Sequence, residues 1–242
     1  MMRGSTQPVR VLVTGFGPFP GIPYNASASL VRGLADAAPA PGLEIATVII
    51  PVVWASAREA AREAAAQFAP HAILHFGVAK RAAGFEVEAR AFNRSGLKED
   101  HAGIVRASRP LVRAGRPALS STLPAAALVR ALRKNGYPAT VSRDAGRYLC
   151  NALFYWSLND SEAKGRLVGF IHMPAFGVET EVKPRLTMEE AAGGARILLR
   201  ASAEAVLRAR QTRLGERGGG AGHGSQALYR NGRSSGRLGG VG

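Results

Sequence analysis

Val9-Arg-Val-Leu-Val-Thr14 runs straight into Gly15-Phe-Gly-Pro-Phe19, and a helix-like segment opens at Asn25. The first six residues are mostly apolar and β-branched without alternation, which marks a strand covered on both faces rather than one washed by solvent. Gly15 and Pro18 break it into a loop, and Asn25 or Ser27 can cap a helix to about residue 37. Working outward, the same strand-then-helix alternation recurs. Residues 43–53 read as a second strand followed by a helix over 56–68, and residues 72–78 (AILHFGV) read as a third strand. Residues 85–92 alternate enough for a fourth strand, and polar, glycine-containing sequence then extends to about residue 121. Pro124 suits the first turn of a helix that stops at Asn135-Gly136. A short strand at 139–142 leads to a helix from about Arg147, then to the apolar strand 167–172 (LVGFIH). Thr187 and Glu190 form a capping box for a last helix to about residue 210. The pattern predicts an α/β fold, a single three-layer α/β/α domain with a largely parallel twisted sheet over residues 1–210. From residue 211 Gly, Ser and Arg dominate and apolar periodicity ends, so residues 211–242 are expected to be a disordered Gly/Arg-rich tail.

A chain of 242 residues with 46% hydrophobic content can bury a full core. It has no apolar run near the ~20 residues that span a bilayer, and its N-terminus lacks a signal-peptide cleavage pattern, so the expectation is a cytoplasmic protein without membrane contact. The formal net charge of +15 raises the question of nucleic acid. Much of that excess is arginine scattered over helix faces and the tail, with no zinc-finger spacing, helix-turn-helix signature or aromatic-interleaved basic motif. Nonspecific attraction to polyanions is the most this composition predicts.

One cysteine, Cys150, excludes an intramolecular disulfide and a cysteine-rich zinc site. It is therefore a buried structural thiol or a nucleophile. The strand 139–142, then Ala145-Gly146, then an apolar helical run put Cys150 in the first turn of a helix, where amides and helix dipole favour a thiolate. Of the five histidines, His172 is best placed to serve it, because it ends a strand and precedes Met173-Pro174. His71 and His75 flank a buried strand, His101 lies in a polar loop and His223 in the tail. Glu88, set among apolar neighbours, is the candidate carboxylate to orient the imidazole. In an open α/β sheet such groups collect at the carboxyl ends of the strands, and each is expected there.

These residues also carry a resemblance. Thr14-Gly-Phe-Gly-Pro-Phe19 with Asn25 is similar to the T-G-F-x-P-F-G-G…N-P-S opening of the pyroglutamyl peptidases, the cytosolic cysteine type. Ile50-Pro-Val-Val-Trp54 resembles a Pro-plus-aromatic strand end of that family. Gly77 precedes Glu88 by the spacing of its G-x-A-G-G-R-x-x-I-x-x-E, with Asn93 following at the matching distance. Ala145-Gly146-x-Tyr148-Leu149-Cys150-Asn151 and Gly169-Phe170-Ile171-His172-Met173-Pro174 resemble its Cys and His signatures. The likeness extends from about Val9 to Arg200.

The resemblance implies Cys150 as nucleophile, His172 as acid and base, and Glu88 as the orienting carboxylate, the trio that position alone suggests. It further implies a pocket for a flat, neutral lactam between Phe16 and Phe19, with Tyr148 as a further aromatic wall and Val78 where some members carry Gln. Peptides with a blocked N-terminus would be the substrates, with no metal and no organic cofactor; a homo-oligomer stays open. The sequence departs from the pattern in places. A-G-G-R reads Ala79-Lys80-Arg81-Ala82 here, replacing two glycines with long cations. Pro20 replaces the first Gly after Phe19, residues 98–103 run one residue short, and Lys98 stands about where an arginine near the thiol is usual. The altered stretch 79–82 keeps open a divergent amidohydrolase acting on another cyclic or acylated amine. A non-catalytic binding protein on the same fold is a further alternative.

Overall fold

The computed structural model describes residues 7–36 and 40–219. The chain divides into two compact units, Met1–Arg208 and Ala209–Gly242. In the first, six strands form one sheet in the order β2-β1-β3-β8-β4-β7. Their ranges are β1 Val9–Phe16, β2 Leu43–Ile50, β3 Ala72–Ala79, β4 Phe85–Glu88, β7 Ala139–Ser142 and β8 Leu167–Pro174. Neighbouring strands run parallel except β4 against β8. A separate antiparallel pair joins β5 Arg90–Phe92 to β6 Ala118–Ser120.

Helices cover both faces. On one side α1 Ala26–Ala35, α3 Ala125–Lys134 and the start of α5 Met188–Gly219 pack Leu30, Leu128 and Leu198 against Val11, Leu74, Phe76 and Ile171. On the other, α2 Ala57–Phe68 and α4 Leu149–Ser161 pack Ala61, Leu153 and Phe154 against Leu12, Ile73 and Phe170. This is the three-layer α/β/α arrangement that the alternating pattern predicts. β1 and β3 are buried almost throughout, as continuous apolar runs in a covered parallel sheet should be.

Local signals act where the sequence puts them. Asn25 Oδ1 accepts from the Ser27 amide and caps α1, while its Nδ2 donates to the Gly17 carbonyl and ties down the loop after β1. Gly15 is required there, since a Cβ would lie 2.4 Å from the Ser27 carbonyl oxygen. Thr187 and Glu190 make the reciprocal capping box, with Thr187 N–H donating to Glu190 Oε2 at 2.7 Å and Glu190 N–H to Thr187 Oγ1 at 3.1 Å.

Three differences matter. The single strand expected over 85–92 is two, since the chain leaves the main sheet after Glu88 and pairs with β6, a three-residue strand inside sequence that reads as polar loop. β4, with its parallel neighbour β7, runs antiparallel to β8, so Glu88 ends β4 beside Phe170 rather than at the carboxyl ends of β1, β3 and β8. Residues 211–219 are helical rather than part of an irregular tail, and the expectation of disorder for 220–242 lies outside the described residues.

Candidate active site

α4 begins at Leu149 directly beneath β3. Its second residue, Cys150, is half-buried, and the sulfur packs so close to Gly77 that a Cβ at that glycine would lie 3.2 Å from Sγ and 2.9 Å from Phe170 Cζ. Gly77 is the register partner of His172 in β8. Absence of a side chain at residue 77 thus lets the helix start and the histidine strand converge. Asn151 fixes the helix start from the other side: its side chain accepts from the Phe92 amide at 2.8 Å and donates to the Phe92 carbonyl at 2.9 Å. Among the described residues no side chain caps the amides of the first turn of α4, which leaves them as free donors at the helix start that carries the thiol.

His172 is buried, and its Nδ1 lies 2.8 Å from Glu88 Oε1. Antiparallel pairing puts Glu88 opposite Phe170, so the carboxylate meets the imidazole diagonally across the two strands on one face of the sheet. The same ring lines a groove with Cys150. Burial alone would push the imidazole down; its interactions with Cys150 and Glu88 outweigh that and raise it from 6.5 to about 10. The Phe170 ring stands 4.8 Å from the imidazole, centroid to centroid, and screens it from water.

The contrast with His75 is instructive. Equally buried, it sits between Thr14 Oγ1 at 2.7 Å and Ser157 Oγ at 2.9 Å, and desolvation lowers it to about 3. It is a neutral structural group. His71 accepts from the Arg10 amide at 2.9 Å, His101 is exposed in a loop, and His223 lies outside the described residues.

All the residues singled out from the pattern come together around the thiol. Phe16, Phe19, Val78 and Tyr148 line a small apolar recess whose wall includes Cys150. The Tyr148 ring is 5.9 Å from Phe19 and packs edge-on to Trp54 at 5.7 Å, and its hydroxyl donates to the Glu99 carbonyl at 2.8 Å. Three contributors escape a reading by pattern. Asp100, fully buried, accepts from the amides of Trp54, Ala102 and Ile104 at 2.8–2.9 Å and so anchors the loop carrying Lys98. Glu181 reaches the site from the loop after β8. Glu86 lies two residues before Glu88 on the same face, a period-two signal that could have flagged it. Its Oε2 and that of Glu88 are buried without a hydrogen-bond partner, and with His172 these carboxylates form a group whose ligand atoms lie within 4.8 Å of one another. A cation held there would compete with the His172–Glu88 hydrogen bond.

A thiol at an uncapped helix start, a carboxylate-bound histidine raised in pKa and an aromatic recess are the parts of a cysteine hydrolase. The pyroglutamyl peptidase family model matches residues 9–206. The chain belongs to the pyroglutamyl peptidase family. Its relatives include the pyrrolidone-carboxylate peptidase of Pyrococcus furiosus, 31% identical over 169 residues spanning 69% of this chain and 81% of that protein. The pyrrolidone-carboxylate peptidase of Clavibacter michiganensis subsp. michiganensis is 34% identical over 197 residues, 79% of this chain and 92% of its own length. Among solved structures, pyroglutamyl peptidase I of Bacillus amyloliquefaciens superposes with a TM-score of 0.75 at 28% identity, covering 81% of this chain and 97% of that one. Pyrrolidone carboxyl peptidase of P. furiosus gives 0.76 at 28% identity, covering 82% and 100%. As a pyroglutamyl peptidase family member the chain is a cysteine-type hydrolase. Among its described residues no helix is long and apolar enough to cross a membrane.

Proposed function

We propose that this protein removes pyroglutamate from peptide N-termini by acyl transfer through Cys150. The observation that carries the proposal is the imidazole of His172, hydrogen-bonded to Glu88 and lining the same groove as Cys150. Its raised pKa keeps the ring protonated at neutral pH, so a thiol proton given to it is retained as an ion pair. The thiolate attacks the pyroglutamyl carbonyl carbon and a C–S bond forms. Uncapped amides at the start of α4, that of Cys150 included, receive the oxyanion. As the intermediate collapses the C–N bond breaks and His172 delivers its proton to the departing amine. Water then attacks the thioester, His172 takes its proton, and the C–S bond breaks to free pyroglutamic acid and restore the thiolate–imidazolium pair. Glu88 holds the ring and its charge throughout. The recess of Phe16, Phe19, Val78 and Tyr148, closed in this structure and opening to admit the ring, suits a flat, neutral lactam because its aromatic walls bind the lactam faces.

A cytoplasmic setting fits a chain whose single thiol must stay reduced. The catalytic unit is taken to end near residue 210, with the remaining basic segment dispensable for chemistry. Hydrolysis of a fluorogenic pyroglutamyl amide tests the function: turnover by the wild type and its loss in Cys150→Ser is the expected result. No turnover, with Cys150 unreactive toward iodoacetamide, refutes both substrate and nucleophile.

A further inference from the structure

Two cavities meet at Cys150, sharing Phe19, Val78 and Tyr148, and they differ in character. The recess that also includes Phe16 is apolar and closed down to about 10 Å³, roughly the space of one water. The other is an open groove of about 400 Å³ that includes His172 and whose walls carry Lys80, Arg81 and Lys98 against one acid, Glu181. Arg81 is partly engaged: it donates to the Asp144 carbonyl at 3.0 Å and its Nε lies 4.0 Å from the Glu86 carboxylate. Among the described residues neither lysine is ion-paired, and Lys98 Nζ stands 5.2 Å over the Phe19 ring and 5.1 Å over Tyr148. The polypeptide beyond the scissile bond has to leave through open space, and the groove is the open side of the thiol.

From this geometry we infer that the groove receives the leaving peptide, and that Lys80 and Lys98 select substrates with a carboxylate close to the scissile amide. The inference rests on the peptidase function proposed above. Unpaired ammonium groups beside a partly desolvated groove attract an anion and repel a cation, and discrimination of this kind fades as salt screens it. The carboxylate has two sources: an acidic side chain on the second residue, or the free C-terminus of a blocked dipeptide.

Specificity constants for the full-length protein separate them. The C-terminally amidated peptides pyroglutamyl-Glu, pyroglutamyl-Gln and pyroglutamyl-Lys test the side-chain source, and pyroglutamyl-Ala as free acid and as amide tests the terminal one, with products quantified by chromatography. At low ionic strength the Glu peptide is expected to exceed the Gln peptide in kcat/KM about fivefold and the Lys peptide by more, falling toward parity near ~1 M salt. Lys80→Glu is expected to reverse the Glu-over-Lys order, and Lys98→Gln to weaken it. A preference confined to one of the two peptide sets assigns the carboxylate to that source. Cleavage of all five peptides at rates within twofold, or an order unchanged in Lys80→Glu, overturns the inference and leaves the peptidase function standing. Cleavage of none overturns that function and the inference with it.

Discussion

Replacing Glu88 by Gln keeps the shape of the side chain and removes its charge from the buried contact with His172 Nδ1, a contact of 2.8 Å. Two unit charges about 4 Å apart attract by about 4 kcal/mol at an effective dielectric of 20. Hydrogen bonds to charged partners contribute about 1.5–3 kcal/mol net. The imidazolium formed during the reaction loses that support, so kcat/KM for a pyroglutamyl amide should fall by one to two powers of ten at about 1.4 kcal/mol per tenfold. The pH profile carries a second signature. Glu88 is one of the groups that raise His172 to about 10. A raised pKa means that the protonated ring persists to higher pH, so the alkaline limb of the wild type should lie well above 6.5. In Glu88→Gln that limb should move down by about one to three pH units. Stability near neutral pH should fall, because removing one partner of the buried pair leaves the His172 imidazolium uncompensated. Initial rates across pH with a fluorogenic pyroglutamyl amide, beside thermal melts of both proteins, give all three readings. Turnover within twofold of wild type together with an unmoved alkaline limb refutes the role given to the carboxylate.

Gly77→Ala should cost about 1–3 kcal/mol of stability by overpacking, because its Cβ would press on Phe170 and on the Cys150 sulfur. Displacing the thiol should lower kcat by about tenfold or more, measured as turnover at a temperature where the variant is folded. Asp100→Asn puts an amide donor against backbone N–H groups and should lose about 2 kcal/mol in melts near neutral pH. Burial raises the Asp100 carboxyl, but its bonds from Trp54, Ile104 and Ala102 outweigh that and hold it below 3.8. Its contribution is therefore full above pH 3.8 and is lost as pH falls through the lower folded value, so melts of variant and wild type should converge in acid. A chelator should leave turnover unchanged while added zinc inhibits, since a cation on Glu86, Glu88 and His172 would take the bond that orients the imidazole; zinc-dependent activity would contradict this.

The long strands were legible because burial writes itself into sequence: β1, β3 and β8 are apolar on both faces and admit no other reading. Capping residues were legible for the same local reason, and Cys150 was placed in the first turn of its helix by the short strand and Gly146 before it. Direction is different. Phe85-Glu-Val-Glu88 alternates identically whichever way it runs, so the antiparallel setting of β4, which makes the contact with His172 a diagonal one, is fixed only by partners distant in the chain. β6 is three residues long and gains its pairing from β5, which leaves almost no trace in local composition. The helical residues 211–219 lack apolar periodicity and include three glycines, so neither burial pattern nor propensity marks them as helix. Lys80 and Lys98 are placed near the thiol by their motif positions, whereas Glu181 comes from a separate loop and only the fold brings it to the same groove.

The diagonal meeting of Glu88 and His172 joins residues 84 positions apart in the chain. Contacts of such span form late, after the entropy of closing a long loop has been met. The β3–β8 pairing spans still more of the chain, so a refolding chain can regain its helices and the β2-β1-β3 half of its sheet while remaining catalytically silent. Recovery of turnover would mark the last cooperative step rather than collapse, and local opening of the four-residue β4 would silence the enzyme without unfolding it. Turnover thus reports on the docking of one short strand.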